Sequence, residues 1–265
     1  MKDLWVPLSA AIARQRQVET IANNVANANT PGFKKDQLTF KEYIVNQSKG
    51  GQDIDLPNKT WKPEDFYRTH NNENSFVKID GTFTNFEQGD LIPTKNNLDI
   101  ALRGNGFIEI LTPQGLRYTR KGALSISNEG RLITDQGYPV VEKRDDYSQQ
   151  PNFIQLPERK VSINQEGQIF TTQGPVGNIS ITEFKDINAL KKEGNSMFIN
   201  PSLENIKASP MKTLVLQGFI EQSNVNAIQE MAELIKASRN FDSVQNVIKT
   251  YDSMANKANT TLLRF

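Results

Sequence analysis

Along the first thirty positions Leu4, Leu8, Ala11, Gln15, Val18, Ala22 and Val25 recur at alternating steps of four and three, with Gln15 the one polar member. That spacing is the seam of a helix that packs on another helix. Ile12 and Ile21 widen the stripe. Asn27, Asn29, Pro31 and Gly32 then stop it, because asparagine competes for backbone hydrogen bonds, proline disfavours helix in the residue before it and glycine permits a turn. The pattern predicts a helix that ends near Ala28.

The other end of the chain carries a longer seam. Ala227, Leu234, Ala237, Phe241, Val244, Ile248, Tyr251, Ala255, Ala258 and Leu262 keep the three-four spacing, interrupted only by Glu230. A helix over this stretch runs about 55 Å at ~1.5 Å per residue, too long for a small domain to cover. Ile228, Met231 and Ile235 lie off the main stripe, so one partner helix does not cover both.

Between the helices the pattern changes to β. Leu98, Ile100 and Leu102 alternate with Asp99 and Ala101, and Ile179 and Ile181 flank Ser180, with frequent Gly, Asn and Pro between such runs. Residues 124 to 137, LSISNEGRLITDQG, align without gaps on residues 161 to 174, VSINQEGQIFTTQG, with seven of fourteen positions identical. In each copy a Glu-Gly pair separates two short apolar runs, which predicts a β-hairpin repeated twice. Residues 46 to 75 are rich in Asn, Lys, Asp and Gly around the isolated aromatics Trp61, Phe66 and Tyr67. They read as a polar excursion whose aromatics are candidate docking anchors.

The chain thus divides into an N-terminal helix and motif (1–45), the excursion (46–75), a central β domain (76–215) and a C-terminal helix (216–265). The expected fold class is α+β, with long N- and C-terminal helices forming a coiled-coil domain and a β-rich central domain inserted between them. The candidate assembly interface is the two seams: Leu4, Leu8, Ala11, Val18, Ile21, Val25, Leu234, Phe241, Val244, Ile248, Tyr251 and Leu262.

Composition narrows the chemistry. Thirty-one basic against thirty acidic residues leave a net charge of +1, without a basic run, so nucleic acid is not expected as a partner. Mean hydropathy is −0.55, and no stretch approaches the roughly 18 consecutive apolar residues of a membrane span. A cleaved signal peptide is not expected either, since the N-terminus lacks an apolar core before a small-residue cleavage site. Cysteine is absent and His70 is the single histidine, which removes thiolate and multi-histidine metal sites. No nucleophile elbow, P-loop or H-E-x-x-H is present. Gly104-Asn105-Gly106 lacks the third glycine of a phosphate loop and reads as a turn between Leu102 and Phe107. The carboxylate pairs Asp53 with Asp55, Asp80 with Asp90 and Asp145 with Asp146 read as solvated loop anions. No catalytic residue, cofactor or metal is expected.

Three segments carry a resemblance. IANNVANANTPGFK at 21 to 34, with Asn23, Asn24, Asn27, Pro31, Gly32 and Phe33, resembles the asparagine-rich motif near the N-terminus of flagellar rod and hook proteins. QGDLIPTKNNLDIALRGNGFIEILTPQGLRYTRKG at 88 to 122, with Gly104, Gly106 and Phe107, resembles that family's central segment. LQGFIEQSNVNA at 216 to 227 resembles the motif that opens its C-terminal helix. The end DSMANKANTTLL looks more like the proximal-rod than the distal-rod member. The resemblance implies a structural subunit of the flagellar basal-body rod. It implies assembly with itself and other axial rod proteins through the terminal helices, export by the flagellar type III apparatus without a cleaved signal peptide, and a place in the periplasm, where the rod passes torque to the hook. Within the family the alternative is a distal-rod or hook-type axial protein; outside it a free coiled-coil scaffold and a carbohydrate-active enzyme are the competing classes. The central motif speaks against the scaffold and the missing site against the enzyme.

Overall fold

The computed structural model describes residues 5–46, 73–144, 150–157, 161–207 and 212–262. Its contacts divide the chain into two compact units. The first holds most of helix α1 (Trp5–Ala26), of the strands β1 (Asp36–Asn46) and β2 (Glu73–Thr84), and of helix α2 (Ala227–Leu262). The second is a β-rich body made of Asn24–Asp36 and Thr84–Ala227.

In the body, β3 (Leu91–Pro93) pairs with β16 (Phe219–Glu221) and β4 (Ile100–Arg103) pairs with β15 (Leu214–Gln217). A five-stranded antiparallel sheet is ordered β12 (Ile181–Glu183), β5 (Gly106–Thr112), β6 (Gly115–Thr119), β14 (Met197–Ile199), β13 (Lys191–Glu193). The alternation read at Leu98, Ile100 and Leu102 yields a strand at 100–103 whose Ile100, Ala101 and Leu102 are all buried. Ala101 is apolar enough for the second face to be covered as well.

The sequence repeat is a repeat of structure. In the first copy β7 (Leu124–Ile126) pairs with β8 (Leu132–Thr134), and in the second β9 (Ser162–Ile163) pairs with β10 (Gln168–Thr171). β10 also pairs with β11 (Gly174–Asn178). Ser127 Oγ accepts the N–H groups of Glu129 and Arg131, and Asn164 Oδ1 accepts those of Glu166 and Gln168. Gly130 and Gly167 take φ of 78° and 85°, the left-handed conformation that the turn needs. Leu124, Ile126 and Leu132 of one copy and Val161, Ile163 and Ile169 of the other pack in one core cluster. A second cluster is aromatic, built on Phe107, Tyr118, Phe184 and Phe198, with Tyr118 and Phe184 edge to face at 4.9 Å.

The expected coiled-coil domain requires correction. The described residues contain two α-helices of unequal length, 22 and 36 residues, on a protein whose bulk is β. A coiled coil buries knobs in holes along its whole seam. Here the seam residues Leu8 of α1 and Tyr251 in the second half of α2 are 38% and 42% exposed. Period identifies which face of a helix is apolar and leaves open what covers it. The architecture is a β-rich body with two terminal helices, only one of them long.

Candidate functional site

The three motif segments meet in the body at one buried knot. Lys34 follows the asparagine motif, and its Nζ donates to Glu221 Oε1 at 2.6 Å and to the carbonyl of Glu87 at 2.7 Å. Both side chains of this ion pair are fully buried. Arg120, from the Tyr-Thr-Arg end of the central segment, reaches Glu221 Oε2 at 3.3 Å and the carbonyls of Leu102 and Gly104. Glu221 Oε1 also accepts the N–H of Gly89 at 3.1 Å. One carboxylate thus gathers two cations and a backbone donor from three segments far apart in sequence.

Backbone bonds close the same knot. The Gly32 N–H donates to the Glu221 carbonyl at 2.8 Å, and the Asn85 N–H to the Lys35 carbonyl at 2.8 Å. Asn224 accepts the Lys35 N–H and donates to the carbonyls of Asn85 and Glu87. Asn24 and Asp36 bond in both directions, side-chain amide to backbone carbonyl and backbone N–H to side-chain carbonyl. From β13, Lys192 donates to the Lys34 carbonyl and to Asp36 Oδ2, and its Nζ stands 3.8 Å from the centre of the buried Phe33 ring.

Burial pushes the Lys34 ammonium below its ordinary range, against the attraction of Glu221, and does the same to the Arg120 guanidinium. Lys192 is lowered by burial too, against its bond to Asp36. Desolvation therefore outweighs what the carboxylates return. A buried ion cluster is weak evidence of added stability, since apolar replacement of such pairs is often neutral.

The predicted turn residues fall around this knot. Gly104, with φ of 126°, and Gly106 form the turn between β4 and β5. A Cβ on either would lie 2.9 Å from Thr213 Oγ. Phe107 is buried with the Arg120 guanidinium 5.0 Å from its ring centre. Asn27 accepts the Thr30 hydroxyl, Pro31 is half-buried, and Asn23 is exposed on α1. Thr213 is held by Glu183, whose Oε1 accepts its hydroxyl at 2.8 Å, its N–H at 2.9 Å and the N–H of Lys212 at 2.7 Å.

Burial alone would raise the Glu183 carboxyl, but the Thr213 hydroxyl, the two N–H donors and Lys207 outweigh it and hold the carboxyl below its ordinary 4.5. A carboxylate lowered in the fold contributes stability above its unfolded value and loses it as pH falls through the folded one. The body is expected to weaken as pH drops from about 4.5. In Glu183→Gln this part of the urea midpoint against pH profile is expected to be flat.

The predicted seam residues among the described ones lie on the two helices, all but Val25 within the first unit. Ala11 and Ile21 of α1 are buried and Val18 and Val25 half-buried. In α2, Leu234, Phe241, Val244 and Ile248 are half-buried while Tyr251 is exposed. Leu4, Trp61, Phe66 and Tyr67 lie outside the described residues, and the Leu262 side chain is likewise not among the described ones.

The periodicity reading missed Lys34, Arg120, Lys192, Glu221 and Asn224. Lys34 and Glu221 are the single charged residues of the first and third segments, which was the available signal, whereas the eight charged residues of the central segment do not single out Arg120.

Three family models match in chain order. They are the flagella basal body rod protein model at residues 6–34, the flagellar hook protein FlgE/F/G D1 domain at 101–171, and the flagellar basal body rod FlgEFG protein C-terminal model at 216–261. The flagellar basal-body rod protein FlgG of Borreliella burgdorferi is 32% identical over 98% of this chain and 98% of its own. FlgF of Rhizobium meliloti is 28% identical over 98% and 97%. FlgF of Caulobacter vibrioides is 29% identical over 96% and 95%. Relatives of both names align at similar identity, so identity does not separate the two.

Proposed function

The chain belongs to the flagellar basal-body rod protein family and is a structural protein of that rod, and on this premise we propose that the apolar stripes of its two helices build it into the rod. The observation that carries this reading is the surface of α2. Met231, Ile235, Val247, Tyr251 and Met254 are between 42% and 61% exposed, and they surround the half-buried stripe of Leu234, Phe241, Val244 and Ile248. Exposed apolar side chains repeated along one helix call for other helices. Burying each Leu- or Ile-sized side chain contributes roughly 1.5 to 3 kcal/mol, which offsets the ordering of the ends. The partners are further copies of this chain and the other axial rod proteins. The assembled helices then serve as a stiff wall that transmits torque across the periplasm.

Export by the flagellum's own type III apparatus, without removal of the N-terminal residues, belongs to the same reading. Removal would discard the start of the α1 seam.

Ile248→Asp is expected to leave the body folded and to abolish incorporation, because the substitution would bury a charge among helices. The variant should be missing from purified basal bodies and the cells non-motile. Normal swimming would overturn the reading.

A further inference from the structure

We infer that residues 30–36 form a strap that closes on a body already folded without it, with Lys34 as a plug that can leave its socket intact. The strap contributes no strand to the body, whose strands β3 to β16 span residues 91–221. Neither core cluster contains a residue between 24 and 36. What holds the strap is one buried apolar side chain, Phe33, under the Lys192 ammonium, and polar bonds long in sequence: Lys34 Nζ to the Glu87 carbonyl and Glu221, Lys35 N–H to Asn224, Gly32 N–H to the Glu221 carbonyl, and Lys192 onto Lys34 and Asp36.

The socket is asymmetric in a way that makes opening possible. When the strap leaves, Lys34 regains water while Glu221 keeps Arg120 on Oε2 and the Gly89 N–H on Oε1. The carboxylate is therefore not stranded, and Lys192, whose partners Lys34 and Asp36 leave with the strap, is already 17% exposed and regains water as the strap lifts. The strap also sits on Asn224, three residues before α2 begins, so closing it fixes the points from which both chain ends leave the body. The inference concerns the body alone and stands whether or not the helices carry assembly.

Gly32 is the handle for a test. Its φ is 67°, and a Cβ there would lie 2.7 Å from the backbone of Arg120 and of Lys121, so alanine opposes closure without touching either core. Hydrogen exchange on the full-length Gly32→Ala chain is expected to show amides 32, 35 and 85 exchanging at least about tenfold faster, with those of β5, β6 and β14 unchanged. Lys34→Met should speed the same amides by a smaller factor, up to about fivefold, by removing the plug while β5, β6 and β14 stay unchanged. Loss of protection in β5, β6 and β14 together with the strap would make the strap an integral part of the core, and unchanged strap amides in both variants would mean that it does not open. Either result overturns the inference.

Discussion

Glu221→Gln is expected to destabilise the body by about 3–5 kcal/mol, the cost of removing one partner from a buried ion cluster. The carboxylate is fully buried between Lys34 and Arg120, themselves 0% and 2% exposed. Without it two cations remain in a dry site, and the glutamine amide adds a donor where only acceptors are wanted. Lys34→Met is the instructive contrast. It takes one of two cations from a cluster with one anion, leaves Arg120 and Glu221 balanced, and replaces a costly desolvated ammonium with an apolar chain of similar length. Its expected cost is about 1 kcal/mol or less, the scale of one net hydrogen bond. Urea midpoints of the two variants, followed by the β signal in circular dichroism, check the order. Equal losses would mean that the cluster acts as simple pairs and not through its shared carboxylate.

The contrast bears on why the sequence was readable in some places and opaque in others. Periodicity reports which residues share a face. That is enough for α1, for α2, and for the two hairpins, where the Glu-Gly pairs mark turns that are local in sequence. It does not report partners. The two seams predict a coiled-coil domain that the exposed Leu8 and Tyr251 contradict. The knot is harder still, because Lys34 and Glu221 are 187 positions apart and each looks like an ordinary surface charge. Only the motif segments pointed there, and a motif locates residues without saying that they converge. Lys192 gave no signal, lying in the run Leu190-Lys191-Lys192-Glu193 that reads as a solvated strand edge.

The convergence also changes what the motifs mean. An asparagine-rich segment beside a helix invites the reading of an assembly surface, yet Asn24, Phe33 and Lys34 are buried inside the body. Proposed assembly contacts fall on the helices beyond them, so variants in the knot and variants in the seams should separate: the first alter the stability of the body, the second alter incorporation alone.

Gly122→Ala is expected to prevent the body from folding, or to cost at least about 3 kcal/mol, the upper end of overpacking penalties. Gly122 closes the central motif, two residues after Arg120, and its carbonyl accepts the N–H of Ile100 at 2.9 Å. A Cβ there would stand 1.6 Å from the Ile100 carbonyl oxygen and 2.8 Å from its carbonyl carbon. No rotamer relieves such a contact, since both atoms are backbone. Retreat of Ile100 is blocked in turn: its side chain is fully buried, and β4 is paired with β15 through Ile100 and Gln217. Moving Gly122 instead would drag Arg120 away from Glu221 and open the knot. Gly194→Ala serves as the control, because nothing lies within 4 Å of the Cβ it would add, and its expected effect is within about 0.5 kcal/mol. Soluble expression and the urea midpoint compare the two. A Gly122→Ala protein as stable as Gly194→Ala would mean that the strand crossing at Ile100 yields by more than an ångström without loss, and the close backbone approach there would not be what requires glycine.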